Sequence, residues 1–582
     1  MSLVRASICL AIFLMLLAVS KVSAQQTHLH EHPVLEAIDK AYQKGQLSTD
    51  ESVLYKFYAV RSPSKLPANF QTRGGEPVKC GTPVFADYHR KRDQLSQTTI
   101  DEIERMTAAS QASETYTSPS GNFLIHYETS GNDAVPPDDT SGVNGVPDYV
   151  EYVAAAADSS WRYQVQGLGF TDPILQSSQY DVTIRNLGTG FYGQTRALGN
   201  TTEIEIHNNF LNGFPPNDHP DGDQIGAIYV TMAHEFKHAI QYANNQWQGS
   251  AGSFNWIEMD ATLMEEVTYD NVNDYYNYIV DSRSIFLDPA SATPGAYWDV
   301  SFSIFFNEIF GPDFWVDVWQ EEIKSNATMD FLDAIISQTQ SRGSSYPDIF
   351  AEAHLWHYAS GPENAPLNYG FEERLNYPDP TITETINGTQ SSLSSEKLIE
   401  AHAANYFDIT PVGNESNQVL ITLTADINEY AAAAIAYFKD GTSDIYIGTN
   451  VSNSGKLRLE TTWNWKDVEE IGLVAANTSR SAGINLNVAT KSYTADLVTL
   501  KQNYPNPFNG TTIIEFTLQQ DSNVQLRLYD VTGRLVRTII DGPRTAGTYT
   551  PTLSSDRLAS GIYFYRLITD KRSKVKKLTL IK

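Results

Sequence analysis

His234 and His238 stand four residues apart, with Glu235 directly after the first, in the run Ala-His-Glu-Phe-Lys-His at 233–238. On a helix, positions four apart share a face, so both imidazoles can reach one ion while Glu235 points into the space beside it. Zinc (Zn2+) held by neutral nitrogen ligands with one position open lowers the pKa of a water toward neutrality, and an adjacent carboxylate can take its proton. The implied chemistry is metal-assisted hydrolysis with Glu235 as general base. A histidine pair does not complete a site, because the same spacing also serves structural pairs on amphipathic helices. A third ligand is required.

The chain that positions these groups has 582 residues, too many for one hydrophobic core. Its net charge of −28 argues against nucleic acid as a partner, since phosphate binding needs a basic face. Residues 1–24 combine a basic start at Arg5, an apolar run from Ile8 to Val19 and a Val22-Ser23-Ala24 ending, which reads as a secretory signal peptide. No other apolar run is long enough to span a bilayer, so no transmembrane segment is expected in the mature chain. The two cysteines are Cys9 and Cys80, and Cys9 leaves with the signal. One thiol then remains, and no internal disulfide is expected.

Periodicity predicts two short helices after the signal. One carries Val34, Leu35, Ile38, Ala41 and Tyr42, the other is opened by the capping box Ser48-Thr49-Asp50-Glu51, and a third follows near 98–109. Residues 25–114 thus form a helical block placed where a propeptide sits in a secreted protease. Alternation predicts strands at 122–127, 180–185 and 203–207, with a helix from Tyr149 to about Gly167. The strand at 203–207 is expected to be the sheet edge that takes extended substrate by β-augmentation. Strand, strand, motif helix, second helix is the order expected of a zinc peptidase, and this unit is bounded at 115–376. Short alternating runs predict a β-sandwich at 377–493 and a last β-sandwich at 494–582, with strands at 512–518, 524–530, 535–540 and 561–568. The fold class expected is multidomain α+β.

The segment Trp256-Ile257-Glu258-Met259-Asp260-Ala261-Thr262-Leu263-Met264-Glu265 resembles the third-ligand motif of the gluzincin metallopeptidases, notably their aminopeptidase branch. The resemblance implies a zincin-like catalytic domain with Glu258 as third zinc ligand. It also implies that Glu265, seven residues on and on the same helix face, supports a ligand from behind. Tyr297, at the head of a helix running through Phe302, Phe305, Phe306 and Ile309, is implied as the hydroxyl that steadies the oxyanion, while a tyrosine there can also be a core or rim residue. Met259 stands where the family has glycine, and the Gly-x-Met-Glu-Asn element that grips a free substrate amine is absent. That departure points to an endopeptidase acting on protein or peptide substrates. Over roughly 34–360 the chain is similar to a family of predicted secreted zinc peptidases of gliding bacteria.

Asp138, Asp139, Asn144 and Asp148 lie in a turn rich in oxygen ligands, which suits either Ca2+ or an ordinary Asx-rich turn. Cys80, within Pro77-Val78-Lys79-Cys80-Gly81-Thr82-Pro83, is similar to the propeptide switch of matrix metallopeptidases, whose thiolate fills the open position on zinc. In that reading Lys79 favours ionisation of the thiol and the chain is a zymogen; the other reading is a small buried thiol. Three ordered motifs, Asn503-Tyr504-Pro505-Asn506-Pro507-Phe508-Asn509, Leu528-Tyr529-Asp530-Val531-Thr532-Gly533-Arg534 and Leu558-Ala559-Ser560-Gly561-Ile562-Tyr563, closely resemble the sorting domain of the type IX secretion system. That resemblance implies the secretion machinery as partner and a secreted or surface-attached product. Tyr529, Tyr563 and Tyr565 are expected to face inward there, alternating with polar groups. The competing functional class is a cell-surface adhesin or polysaccharide-binding protein with a structural or vestigial zinc site. Glu235 speaks against it, because a structural site needs no base.

Overall fold

The computed structural model describes residues 33–71, 79–108, 112–188, 190–249, 254–279, 286–288, 293–294, 296–297, 299–326, 328–388, 397–411, 417–448, 451–452, 454–493, 498–569 and 573–582. The expected signal peptide, Pro77 and Val78 lie outside them. The chain is a multidomain α+β protein that divides into two compact units. The first comprises Met1–Val412, Ile421–Leu459 and Asp467–Thr490; the second comprises Gly413–Leu420, Glu460–Lys466 and Lys491–Lys582.

Among the described residues the first unit begins with the helices α1 (Pro33–Gln43), α2 (Thr49–Arg61), α3 (Thr82–Lys91) and α4 (Gln97–Thr107). The capping box of α2 forms as read: the Glu51 amide donates to Ser48 Oγ at 3.2 Å and the Ser48 amide to Glu51 Oε2 at 2.8 Å. Ile38, Val53, Phe57, Phe85 and Ile103 give this block a core of its own. Within it, Lys56 bridges α2 to α1 and α3, reaching Asp39 at 2.6 Å and Asp87 at 2.9 Å. Helix α3 was not expected from periodicity; it begins two residues after Cys80 and carries proline in its first turn, where no amide is missed.

A five-stranded sheet follows, with β1 (Glu114–Thr117), β2 (Phe123–Tyr127), β3 (Tyr180–Arg185), β4 (Gly193–Leu198) and β5 (Thr201–His207) in the order β1-β2-β3-β5-β4. β2, β3 and β5 run parallel, and β4 is antiparallel to β5 at the edge. This corrects the sequence reading. The strand at 203–207 is interior, and the open edge belongs to the preceding strand. Helices α5 (Asp148–Trp161), α6 (Asp223–Asn245) and α7 (Phe254–Thr268) complete the frame of the site. Phe236 of α6 fixes the motif helix against the sheet, its ring centroid lying 5.7 Å from Phe123, 5.5 Å from Trp161 and 6.4 Å from Tyr180. Gly193 lets the edge strand approach this helix. A Cβ there would sit 2.8 Å from Thr231 Cγ2 and 3.0 Å from Glu235 Cγ.

A short hairpin, β6 (Phe286–Asp288) and β7 (Thr293–Pro294), precedes α8 (Val300–Phe310), α9 (Asp313–Lys324), α10 (Phe331–Ser341) and α11 (Tyr346–Tyr358). Beyond them come β8 (Glu384–Asn387), β9 (Lys397–Ile399), β10 (Ala404–Thr410), β11 (Gln418–Ala425), β12 (Tyr430–Phe438), β13 (Ser443–Gly448), β14 (Lys456–Asn464), β15 (Val468–Asn477) and β16 (Ile484–Tyr493), in sheets ordered β13-β12-β15-β10-β8 and β14-β11-β16-β9. Helix α11 packs on the first of these sheets, and Gly472 of β15 makes room for it: a Cβ there would lie 1.9 Å from the Tyr358 ring.

The second unit is β-rich. Its main sheet has the order β21-β20-β24-β25 and is built from β20 (Ser522–Asp530), β21 (Leu535–Arg544), β24 (Gly561–Ile568) and β25 (Ser573–Leu580). The shorter strands β17 (Val498–Leu500), β18 (Thr511–Ile513), β19 (Phe516–Leu518), β22 (Gly547–Tyr549) and β23 (Thr552–Ser554) form two small sheets. Tyr565 is buried as expected, donating its hydroxyl to the Lys501 carbonyl at 2.7 Å, and Tyr563 is also buried. Tyr529 is not. Val524, Leu526 and Leu528 set the inward phase of β20, and a period of two leaves the next residue on the other face.

Asp87 supplies an acid-sensitive tie in the helical block. Burial opposes its charge, but Lys56 and Lys91 hold the carboxyl at about 2 against an ordinary 3.8. A carboxyl with a depressed folded pKa contributes stability above its unfolded value and loses it as pH falls through the folded one, here about 2 kcal/mol. Amide exchange in α2 and α3 should therefore accelerate as pH falls from 3.8 toward 2, beyond the chemical trend. The acceleration should be absent in Asp87→Asn; identical profiles for the two proteins would contradict the tie.

Candidate metal centre

His234 and His238 project from the buried face of α6, and Glu258 comes from α7 packed against it. His234 Nε2 lies 3.1 Å from His238 Nε2. Glu258 places Oε1 3.0 Å from His238 Nε2 and Oε2 3.2 Å from His234 Nε2. Cys80 Sγ lies 3.5 Å from His238 Nε2. One donor atom from each of these four buried residues thus lies within 4.8 Å of all the others.

The hydrogen bonds behind the histidines decide what faces the centre. His238 Nδ1 is 2.8 Å from Gln241 Oε1, and Gln241 spends its amide hydrogens on Asp260 Oδ2 at 2.7 Å and the Ile257 carbonyl at 3.0 Å. His234 Nδ1 is 2.7 Å from Glu265 Oε1. Both partners are acceptors, so both Nδ1 atoms carry a proton, and each Nε2 is turned to the centre, where a neutral ring presents a lone pair. Those lone pairs converge on carboxylate oxygens and sulfur, and Glu258 Oε1 receives no hydrogen bond. Converging acceptors in a buried site repel one another unless a cation or an extra proton lies between them. Burial disfavours charge on His234, yet its hydrogen bonds to Glu258 and Glu265 hold it at about 10. Glu258 lies well below the usual carboxylate range: burial raises it, and the two histidines more than offset that. The pocket is thus built around positive charge.

The donor set fits zinc: two imidazole nitrogens, a carboxylate and a thiol are its preferred ligands. Bonds of about 2.0–2.3 Å to a tetrahedral ion imply donor separations of roughly 3.3–3.8 Å, close to the spacings found.

Glu235 faces the same space without joining the donors. Its Oε2 accepts the hydroxyls of Thr195 at 2.8 Å and Thr82 at 3.0 Å, and burial raises its pKa. Tyr297 stands beside the centre, half-buried, with its ring centroid 6.1 Å from that of His234. Burial, followed by the charges of Glu258 and Cys80, pushes its hydroxyl well above the ordinary value. It lies in the turn before α8 and not on the helix, which starts at Val300.

Residues 79–82 run along the free edge of the sheet. The Tyr192 amide donates to the Lys79 carbonyl at 3.0 Å, the Gly81 amide to the Gly193 carbonyl at 3.1 Å, and the Thr195 amide to Thr82 Oγ1 at 2.7 Å. Cys80 pairs with Gly193 as a parallel bridge. Lys79 does not face the thiol. Its ammonium meets Glu265 Oε2 at 2.9 Å and Asp274 Oδ2 at 2.8 Å instead, because those buried carboxylates are the stronger attractor. Burial, then the charges of Glu235 and Glu258, raise the Cys80 thiol well above its ordinary pKa.

The 138–148 turn is a separate structure. Asp148 accepts the amides and hydroxyls of Thr140 and Ser141 at 2.6–3.0 Å, and Asp139 accepts the amides of Asn144 and Gly145. Asp138 contributes its carbonyl to the Asp148 amide. Glu266 groups with Asp270 and Glu373, away from the histidines, and its carboxyl is pushed up to about 10 by burial and then by Glu373. Sequence reasoning missed Gln241, which its position three residues after His238 could have disclosed. It also missed Thr82, Thr195 and Asp274, for which no local signal exists.

Residues 502–582 match the family model described as a secretion system C-terminal sorting domain. No curated protein matches the chain. Among solved structures, the chain is similar to PorZ, a bacterial surface component of the type-IX secretion system of Porphyromonas gingivalis, at 22% identity over 18% of this chain and 14% of that one, with a TM-score of 0.12. It is also similar to CorA, a surface-associated copper-binding protein of Methylomicrobium album BG8 (9% identity, 19% and 98% of the two chains, TM-score 0.13), and to a beta-1,2-glucanase from Parabacteroides distasonis (8% identity, 34% and 38%, TM-score 0.13). At such TM-scores the likeness carries nothing about activity. The sorting domain makes this a protein secreted, or carried to the cell surface, by type IX secretion. Among the described residues no helix is long and apolar enough to cross a membrane.

Cys80 is only 2% exposed, so its thiol should be invisible to a disulfide-exchange reagent in the folded exported protein. One thiol should titrate after denaturation. Rapid labelling of the folded protein would contradict this placement.

Proposed function

We propose that this protein is a secreted zinc-dependent endopeptidase, exported in a latent form. The observation that carries the reading is the convergence of the His234 and His238 lone pairs with Glu258, beside a buried Glu235 that belongs to no ligand set. A zinc ion held there supplies a Lewis acid that polarises a peptide carbonyl and acidifies water. Glu235 takes a proton from the attacking water and returns it to the amide nitrogen as the C–N bond breaks, consuming one water and leaving an acid and an amine. The Tyr297 hydroxyl donates to the carbonyl oxygen as charge grows on it. Gln241 and Glu265 keep both imidazoles in the ligand tautomer.

The edge strand β4 supports an endopeptidase, since it offers an open ladder to an extended chain. Its present occupant, 79–82, is a mid-chain segment, so the groove accepts a chain that continues in both directions. The same segment accounts for latency. The Cys80 thiolate is a fourth donor that closes a site whose catalysis needs an open position, while Thr82 holds the base.

The full-length protein should bind one equivalent of zinc. In the Cys80→Ser background, Glu235→Gln should keep that metal and lose about 10²–10⁴-fold in the turnover of an N-blocked peptide. Metal bound with no turnover in any form, chelator-sensitive or otherwise, would overturn the peptidase reading in favour of a binding protein. Cys80→Ser should raise the basal casein hydrolysis of the full-length chain at unchanged zinc content, and equal basal rates would refute the latch.

A further inference from the structure

The segment over the metal centre brings a second side chain with it. One residue before Cys80, Lys79 turns into a closed pocket and is itself buried. Its ammonium sits 2.9 Å from Glu265 Oε2, 2.8 Å from Asp274 Oδ2 and 4.3 Å from the centre of the Tyr278 ring. The Tyr192 and Tyr297 rings stand 5.3 and 5.8 Å from it. Two carboxylates and three aromatic faces around one ammonium form a specific cation receptor. Both carboxylates are almost fully buried, at 2% and 1% exposure, and among the described residues the salt bridges to Asp274 come from Lys79 alone. Burial opposes charge on the ammonium, but Asp274 and then Glu265 keep it protonated far beyond neutral pH.

This receptor is tied to the site by geometry. Glu265 touches Lys79 with one oxygen and His234 with the other, so the pocket begins directly behind a metal-facing histidine. The backbone that delivers Lys79 is bonded to the sheet edge on which an extended substrate would lie. When 79–82 withdraws, Asp274 is left buried without its cation and Glu265 keeps the His234 ring alone, a costly state that a substrate ammonium or guanidinium relieves.

We propose that this pocket is a side-chain subsite of the groove and that the released enzyme selects peptides carrying lysine or arginine beside the scissile bond, Lys79 being the internal mimic of that side chain. The proposal rests on the peptidase reading, and the test separates the two. The full-length chain carrying Lys79→Ala with Cys80→Ser is titrated calorimetrically with N-acetyl-lysine amide and N-acetyl-norleucine amide, then given a peptide library. The lysine probe should bind at least tenfold more tightly, and cleavage sites should be enriched at least tenfold in lysine or arginine at a flanking position. Adding Asp274→Asn should lower the ratio of kcat/KM for lysine over norleucine substrates at least tenfold. The comparison of the two probes leaves the receptor's own residues, Glu265, Asp274, Tyr192, Tyr278 and Tyr297, as they are and stands if Asp274→Asn fails to fold. Equal binding of both probes, or cleavage without basic enrichment, would overturn the subsite. Tighter lysine binding with no cleavage of any peptide would retain the cation pocket and overturn the peptidase reading.

Discussion

The arrangement of this protein depends on a repulsion. Two imidazole nitrogens, a carboxylate and a sulfur are held within 4.8 Å of one another in a buried space, and they repel unless a cation or an added proton lies between them. Holding them there takes the rest of the fold. Phe236 pins the helix that bears the histidines, Asp260 orients Gln241 behind one imidazole, and Glu265 stands behind the other. If either supporting partner were a donor instead of an acceptor, the tautomer would flip and a proton would face the centre in place of a lone pair. The supporting shell therefore decides whether the four residues are a ligand set or a hydrogen-bonded cluster.

The edge of the sheet couples this centre to the N-terminal block. Gly193 allows β4 to lie against the motif helix, and Gly81 allows the incoming segment to lie against β4, since a Cβ on Gly81 would come within 2.6 Å of both Gln194 Oε1 and Phe191 Cζ. Two close backbone approaches thus bring Cys80, Thr82 and Lys79 onto three different parts of the site at once. The segment is anchored from behind by α3, whose Asp87 binds Lys56 of α2. Displacing it means breaking a strand-like ladder, two hydroxyl bonds and a doubly paired ammonium together, which makes release a cooperative event.

What the sequence disclosed, and what it hid, follows from the range of the interactions. His234, Glu235 and His238 lie within one turn or so of helix, so periodicity alone sets their geometry. Glu258 required a family resemblance, because nineteen residues separate it from His238. The ladder on β4 was invisible for a different reason: Gly193, Gln194, Thr195 and Arg196 are all buried, so the strand has no exposed face and shows no alternation. The run at 512–518 read as one strand because its apolar pattern is continuous, yet it splits into β18 and β19 in separate sheets. Contacts such as Cys80 with His238 join residues 158 positions apart, and nothing local encodes them.

The cysteine count acquires a physical meaning in this setting. Cys80 is the one thiol outside the expected signal peptide, and export carries a protein into surroundings where thiols oxidise. A second accessible cysteine would offer a disulfide that competes with any metal for the same sulfur. A thiol that must remain a ligand is best left without a partner and kept from solvent, and Cys80 meets both conditions. Burial and the neighbouring carboxylates raise its pKa in the absence of a cation, which protects it from oxidation, while a bound cation inverts that logic and stabilises the thiolate. Whether this sulfur is a protected thiol or a thiolate donor is thus set by the charge its three partner residues are arranged to hold.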